Sequence, residues 1–152
     1  DLAIYNEVLD DATIAEHASI VTETYEAVDE LHGGAGDDTL VEGDGIDVLY
    51  GDEGADIFTF GSSTAFSDVD QIADFDTSEG DAIDISDVLS GYDPQSSAIT
   101  DFVQITDNGT DSTLAVDANG GGNSFTTVAT ILGVTGITDE AALVTNGNLI
   151  AA

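Results

Sequence analysis

Between Gly33 and Thr59 the large apolar positions recur at a fixed short period, once in every nonapeptide. Three units stand in register: GGAGDDTLV from Gly33 to Val41, EGDGIDVLY from Glu42 to Tyr50, and GDEGADIFT from Gly51 to Thr59. Glycine holds the fourth place of each, aspartate the sixth (Asp38, Asp47, Asp56) and a large apolar residue the eighth (Leu40, Leu49, Phe58). The frame reaches back in weakened form to Thr24–His32, where Asp29 is sixth and Leu31 eighth, but Ala27 stands in the glycine place. A fixed short period marks a solenoid, because one unit cannot bury its apolar residue alone and must stack on its neighbours. The opening part of each unit reads as a loop whose glycines permit tight turns, and the end of each as a short strand.

Downstream the pattern changes to short alternating apolar runs separated by turn residues, which predicts strands rather than more solenoid. The candidates are Val69–Phe75, Ala82–Ile85, Phe102–Thr106, Ser112–Asp117 and Phe125–Leu132. Asn108-Gly109 between two of these runs predicts a two-residue hairpin turn with both central residues at positive φ. Two short helices are expected: Asp87–Ser90 capped by Ser86 with Gly91 beyond it, and Asp139–Thr145 capped by Thr138 with Gly147 beyond it. Upstream, 1–23 is a lead-in that fits an amphipathic helix or, through Ser19–Tyr25, an edge strand.

Composition narrows the chemistry. The 152 residues suit one domain and are 41% hydrophobic, yet they carry 32 acidic side chains, no Lys or Arg, and a formal charge of −32. Without Lys or Arg partners every carboxylate must be solvated, hydrogen-bonded or set against a bound cation, and salt bridges are expected to be impossible. Nucleic acid and anionic membrane surfaces are excluded as partners, since both are polyanions that require Lys and Arg. Cysteine is absent, which removes disulfides, thiolate metal sites and thiol nucleophiles. The opening residues hold no basic region followed by an apolar run, and no stretch is long enough to cross a bilayer. The expectation is therefore a chain without an N-terminal signal peptide or membrane insertion, taken from the end of something longer.

Two consecutive nonapeptides make one coil, so loops of alternate units stack at about the 4.8 Å spacing of neighbouring strands. Asp38 is then expected beside Asp56. Two carboxylates about 4 Å apart at an effective dielectric near 20 repel by about 4 kcal/mol, until a divalent cation lies between them. Calcium suits such a place because it takes six to eight hard oxygen ligands in flexible geometry, whereas magnesium needs a tighter octahedron and zinc prefers nitrogen or sulfur.

These units resemble the RTX proteins of Gram-negative bacteria, whose nonapeptide is GGxGxDxUx with U large and apolar. The first unit matches throughout. The second has Glu42 in the first glycine place and the third has Asp52 in the second. The resemblance implies a parallel β-roll with calcium between stacked loops. The main site would then comprise Gly33, Gly34, Gly36 and Asp38 with Gly51, Glu53, Gly54 and Asp56. A second edge would comprise Asp29 with Gly43, Gly45 and Asp47. Asp70, Asp74, Asp76, Asp81 and Asp84 are candidates for a further calcium site, weighed against turn-forming aspartates. Counting on from Asp56 by the step that separates it from Asp38 reaches Asp74, a coincidence of register because the repeat pattern is gone by then.

The tail extends the resemblance. Asp56–Phe60, Asp70–Phe75, Glu79–Ser86 and Asn146–Ile150 are similar to the C-terminal region of type I secretion substrates, the large RTX adhesins above all. The implied architecture is all-β: a lead-in at 1–23, a β-roll at 24–60, and a strand-rich cap at 61–152 with one or two short helices and the export signal. The implied role is a non-enzymatic, monomeric module that binds calcium, engages the type I secretion machinery and acts outside the cell or on its surface. The rival is the C-terminal appendage of a secreted RTX hydrolase or toxin. A ligand-binding roll would need a regular rank of side chains, but the fifth places read Asp37, Ile46 and Ala55. His17 and His32 are read as structural or exposed, and Asp117–Gly121 as a hairpin loop.

Overall fold

The computed structural model describes residues 28–152. The lead-in 1–23, His17, the expected strand or helix through Ser19–Tyr25, and 24–27 of the weakened unit lie outside the described residues. The strands run β1 (Glu30–Ala35), β2 (Thr39–Val41), β3 (Val48–Glu53), β4 (Ile57–Thr59), β5 (Asp70–Ile72), β6 (Ala82–Asp84), β7 (Val103–Asp107), β8 (Ser112–Val116), β9 (Thr126–Ile131) and β10 (Leu149–Ile150). Among the described residues one α-helix, α1 (Glu140–Asn146), precedes the last strand, and a 3-10 turn covers Ile99–Asp101.

From β1 to β6 successive strands alternate between two sheets, so this part of the chain winds as a coil. One sheet has the order β1-β3-β5-β9-β8-β7 and the other β10-β6-β4-β2. Leu31 pairs with Leu49 and Leu40 with Phe58, each in parallel register with its counterpart two nonapeptides on. The eighth-place residues thus form two inward stacks, and Leu49 and Phe58 are completely buried between the sheets.

The coil does not stop at residue 60, where the sequence pattern ends it. Leu49 continues to Ile72, and Phe58 to Ile83, both in parallel register. The connections from Phe58 to Ile72 and from Ile72 to Ile83 are each longer than a nonapeptide, which destroys the period without breaking the stack. The expected boundary at 60/61 is corrected accordingly: β5 and β6 are a third coil. The stack then recruits β9, where Ile131 pairs with Ile72, and β10, where Leu149 pairs with Ile83. β9 is parallel to β5 on one side and antiparallel to β8 on the other, so the sheet passes there from roll to meander.

Three local expectations change. The turn between β7 and β8 is longer than two residues, with Asp107 opposite Ser112 and only Gly109 at positive φ. The Asn108 side chain accepts the N–H groups of Thr110 and Asp111, both at 2.9 Å, and this local bonding replaces the two-residue turn. Asp87–Ser90 is not a helix: Val88 N–H bonds Ile85 C=O, but Ser90 N–H is taken by Ala118 C=O in another loop. The cap of α1 is Asp139 rather than Thr138, its carboxylate accepting Ala142 N–H at 2.9 Å, and Gly147 ends the helix in the left-handed region.

The outer edge of β7 is closed by α1. Glu140, buried on the first turn of the helix, accepts Ile105 N–H at 2.7 Å, while Asp107 accepts Gly136 N–H at 2.8 Å. An open edge invites pairing with another chain, and this one is covered. Glu140→Ala strands the Ile105 donor; we expect a loss of about 1–3 kcal/mol in urea unfolding and concentration-dependent association in sedimentation.

Candidate metal centre

The sixth-place aspartates are joined from coil to coil by hydrogen bonds rather than standing as isolated charges. Asp56 Oδ1 accepts Asp38 N–H at 2.8 Å, and Asp47 Oδ1 accepts Asp29 N–H at 3.3 Å. The same bond recurs where the repeat is no longer readable. Asp70 Oδ1 accepts Asp47 N–H at 2.9 Å, and Asp81 Oδ1 accepts Asp56 N–H at 3.0 Å. Asp70 and Asp81 are therefore the sixth-place residues of the third coil. Asp74 is not, despite continuing the count from Asp38 through Asp56; its two oxygens accept Gly51 N–H at 2.9 Å and Asp52 N–H at 2.8 Å.

This placement leaves Asp56 in an unusual state. The residue is completely buried, and its Oδ2 is the one fully buried side-chain polar atom among the described residues without a hydrogen-bond partner. Oδ2 lies against Gly51, where an added Cβ would collide with it. Gly33 repeats the arrangement one coil earlier: a Cβ there would come within 3.1 Å of Asp38 Oδ2 and 2.8 Å of the Gly51 carbonyl oxygen. Glycine in the first place thus lets the aspartate fold inward and lets adjacent coils touch. The Gly51 and Asp52 N–H groups, the donors nearest in sequence to this glycine, are already taken by Asp74.

A buried carboxylate oxygen with no donor is costly, and a cation is the partner that offsets it. Among the described residues no three His, Cys, Asp or Glu side chains are grouped to hold a metal ion. A cation at Asp56 would therefore complete its shell from main-chain carbonyls of the glycine-rich loops around Gly33, Gly34, Gly36, Gly51, Glu53 and Gly54. Such an all-oxygen set fits calcium and does not fit zinc.

The opposite edge is bonded differently. Asp47 Oδ2 accepts Gly43 N–H at 2.8 Å, so both Asp47 oxygens have donors. Glu42, in the first place of that unit, is buried and its Oε1 accepts Gly61 N–H at 2.8 Å and the Thr64 hydroxyl. Asp76 closes a turn on Ser78, which holds its carboxyl below the usual range, and Asp84 accepts Ser86 N–H at 2.9 Å. Asp117 is bonded by the N–H groups of Asn119, Asn123 and Ser124 within its own hairpin loop.

Asp52 stands in a glycine place and adopts φ 65°, a region Asp tolerates better than most residues. Its carboxylate lies 3.1 Å from His32 Nδ1, while Glu30 lies 3.1 Å from Nε2, and the imidazole stacks on Tyr50 at 4.5 Å. Hydrogen bonds to Glu30 and then Asp52 raise the His32 pKa. The expectation that ion pairs are impossible in this chain is corrected here: protonated His32 makes two, both on the surface. Glu42, Asp52 and the donor-blocking role of Asp74 are the site features that repeat spacing does not reveal.

Paired nonapeptides winding a parallel coil, with aspartates linked across turns, decide the fold. It is an RTX-like β-roll. Solved structures similar to this chain include the C-terminal domain (RV) of MpAFP, at 32% sequence identity over 72% of this chain and 86% of that one, with a TM-score of 0.47. Another is the AlgE6R3 subunit from the Azotobacter vinelandii mannuronan C5-epimerase, at 26% identity over 86% of this chain and 82% of that one, with a TM-score of 0.47. No protein-family model and no curated protein matches the sequence.

Two further buried carboxyls of the roll, Asp70 and Asp81, favour protons. Burial pushes the Asp70 pKa up to about 6, with the charges of Glu42, Asp47 and Asp68 acting the same way and the Asp47 N–H opposing. Burial also raises Asp81, against the N–H groups of Asp76 and Asp56. A pKa raised by folding means the folded state binds the proton more tightly. That stabilisation is complete below the unfolded pKa and disappears as pH rises through about 6. In cation-free buffer the urea midpoint should therefore rise as pH falls from about 7 towards 4, and Asp70→Asn should flatten that rise.

Proposed function

We propose that this chain is a calcium-dependent folding and export module, the C-terminal RTX and type I secretion-signal region of a large extracellular bacterial adhesin. The observation that carries the calcium part is the buried, unpartnered Oδ2 of Asp56 between glycine-lined coils. The charge of −32 without Lys or Arg supports it, because no side chain other than histidine can offset the stacked carboxylates. The roles of adhesin end, export signal and extracellular site rest on the likeness of Asp70–Phe75, Glu79–Ser86 and Asn146–Ile150 to that group's tails.

On this reading Asp38 and Asp56 mark the main site, and the chain is a non-enzymatic module. Bound calcium would supply the positive charge and the flexible oxygen coordination that the protein lacks. The residues' part is to hold the coils in register: the ladder from Asp38 to Asp81 orients the carboxylates, and the eighth-place stack fixes their spacing. Extracellular calcium modules bind with dissociation constants of about 10⁻⁴ to 10⁻³ M, so the coil is weakly stabilised inside a cell and strongly outside. At calcium about tenfold above that constant each site adds about 1.4 kcal/mol, a sizeable part of the ~5–15 kcal/mol of a whole domain. A chain loosely folded inside passes a narrow export channel, and folding outside opposes its return.

Calcium titration followed by circular dichroism tests the reading. A cooperative gain of β signal near millimolar calcium is expected, with the midpoint raised about tenfold or more in Asp56→Asn, which removes one charged ligand. A spectrum that calcium leaves unchanged rejects the proposal.

A further inference from the structure

The two edges of the roll differ in what occupies the first place of each nonapeptide and in where the sixth-place carboxylate points. At Gly33 and Gly51 there is no Cβ, so Asp38 Oδ2 and Asp56 Oδ2 tuck against the glycine of their own unit. At Glu42 a Cβ is present, and Asp47 Oδ2 is turned instead onto Gly43 N–H at 2.8 Å. With Asp29 N–H on its other oxygen, Asp47 has donors on both oxygens, whereas Asp56 Oδ2 has none. The Glu42 carboxylate is engaged elsewhere, binding Gly61 N–H and the Thr64 hydroxyl. Both lie in Gly61–Val69, the stretch that lengthens the connection between β4 and β5.

We propose that Glu42 makes the roll one-sided: it closes the second edge with protein hydrogen bonds, leaving the edge of Asp38 and Asp56 as the one that takes calcium. The inference rests on the calcium reading above and narrows it, since repeat spacing alone treats Asp29 and Asp47 as a second, equivalent pair. Glu42 is a positioning residue. Its Cβ excludes the inward carboxylate rotamer at Asp47, and its carboxylate ties the lengthened loop to the second edge. In a repeat whose first place is otherwise glycine, the substitution exchanges a cation-dependent turn for a cation-independent one.

Counting calcium ions per chain by native mass spectrometry, with isothermal titration at each count, tests this. The wild type should lose an ion with Asp56→Asn. Glu42→Gly restores the first-place glycine and should add one ion per chain. Glu42→Gln keeps both the Cβ and the Oε1 acceptor and should leave the count at the wild-type value. A Glu42→Gly chain with the wild-type count overturns the inference. Should that variant fail to fold, Asp47→Asn decides: an ion lost there shows that the second edge was loaded all along and overturns it, whereas an unchanged count upholds it. A wild type that binds calcium yet fails these tests removes only the inference. A wild type that binds none removes the calcium reading and the inference together.

Discussion

The structure depends on one interaction repeated down its edges: the carboxylate of a sixth-place aspartate accepting the N–H of its counterpart one coil earlier. Asp56 does this for Asp38, Asp81 for Asp56, Asp47 for Asp29 and Asp70 for Asp47. In a chain with no Lys or Arg, these main-chain donors are the chief means of stabilising an inward-facing carboxylate. They also fix the register, because a slip of one residue would move both the carboxylates and the eighth-place side chains to the wrong face. Core and edge therefore enforce the same alignment, and neither is satisfied without the other.

The ladder also sets the limits of what hydrogen bonds can do. Asp56 is the point where donors run short: Asp74 takes Gly51 and Asp52 N–H, and Asp56 Oδ2 is left with nothing. On the other edge Asp29 and Gly43 serve the two oxygens of Asp47, while Gly61 and Thr64 serve Oε1 of Glu42. Asp70 and Asp81, buried further along, meet their charge by a raised affinity for protons. Direct bonding, protonation and an oxygen without a donor are thus distributed over neighbouring rungs of one motif, according to which donors the local loop has left.

Much of this was legible in the residues. The period of the nonapeptides implied the stacking of alternate loops and the juxtaposition of Asp38 with Asp56, and the RTX resemblance implied the parallel coil. Reading failed where the period did. Lengthened connections before Ile72 and before Ile83 hid the third coil, although the strands there are ordinary and their partners correct. Asp74 shows the hazard of counting on: it has the right number and a different role. Nothing local announces that β9 and β10 close the stack, since Ile131 meets Ile72, and Leu149 meets Ile83, across most of the cap. The buried Glu140 is equally silent, its helix being predictable but not the strand edge it covers.

Those long closures bear on how the ends of the molecule are tied together. Tripling the length of a closed loop costs about 1 kcal/mol more in chain entropy, a small penalty beside what docking recovers. Ile131 and Leu149 each add a buried side chain to an inward stack that would otherwise end at Ile72 and Ile83. Asn148 adds a polar tie: its side-chain amide donates to Asp81 C=O at 2.6 Å, while its own carbonyl accepts Ile83 N–H at 3.0 Å. Asp81 in turn holds Asp56, and Asp56 holds Asp38. The last strand of the chain is thereby connected, through Asn148 and Asp81 and no basic side chain, to the carboxylate that lacks a partner. The cap is thus continuous with the ladder, and what fixes the last strand also fixes the edge that carries the unpartnered oxygen.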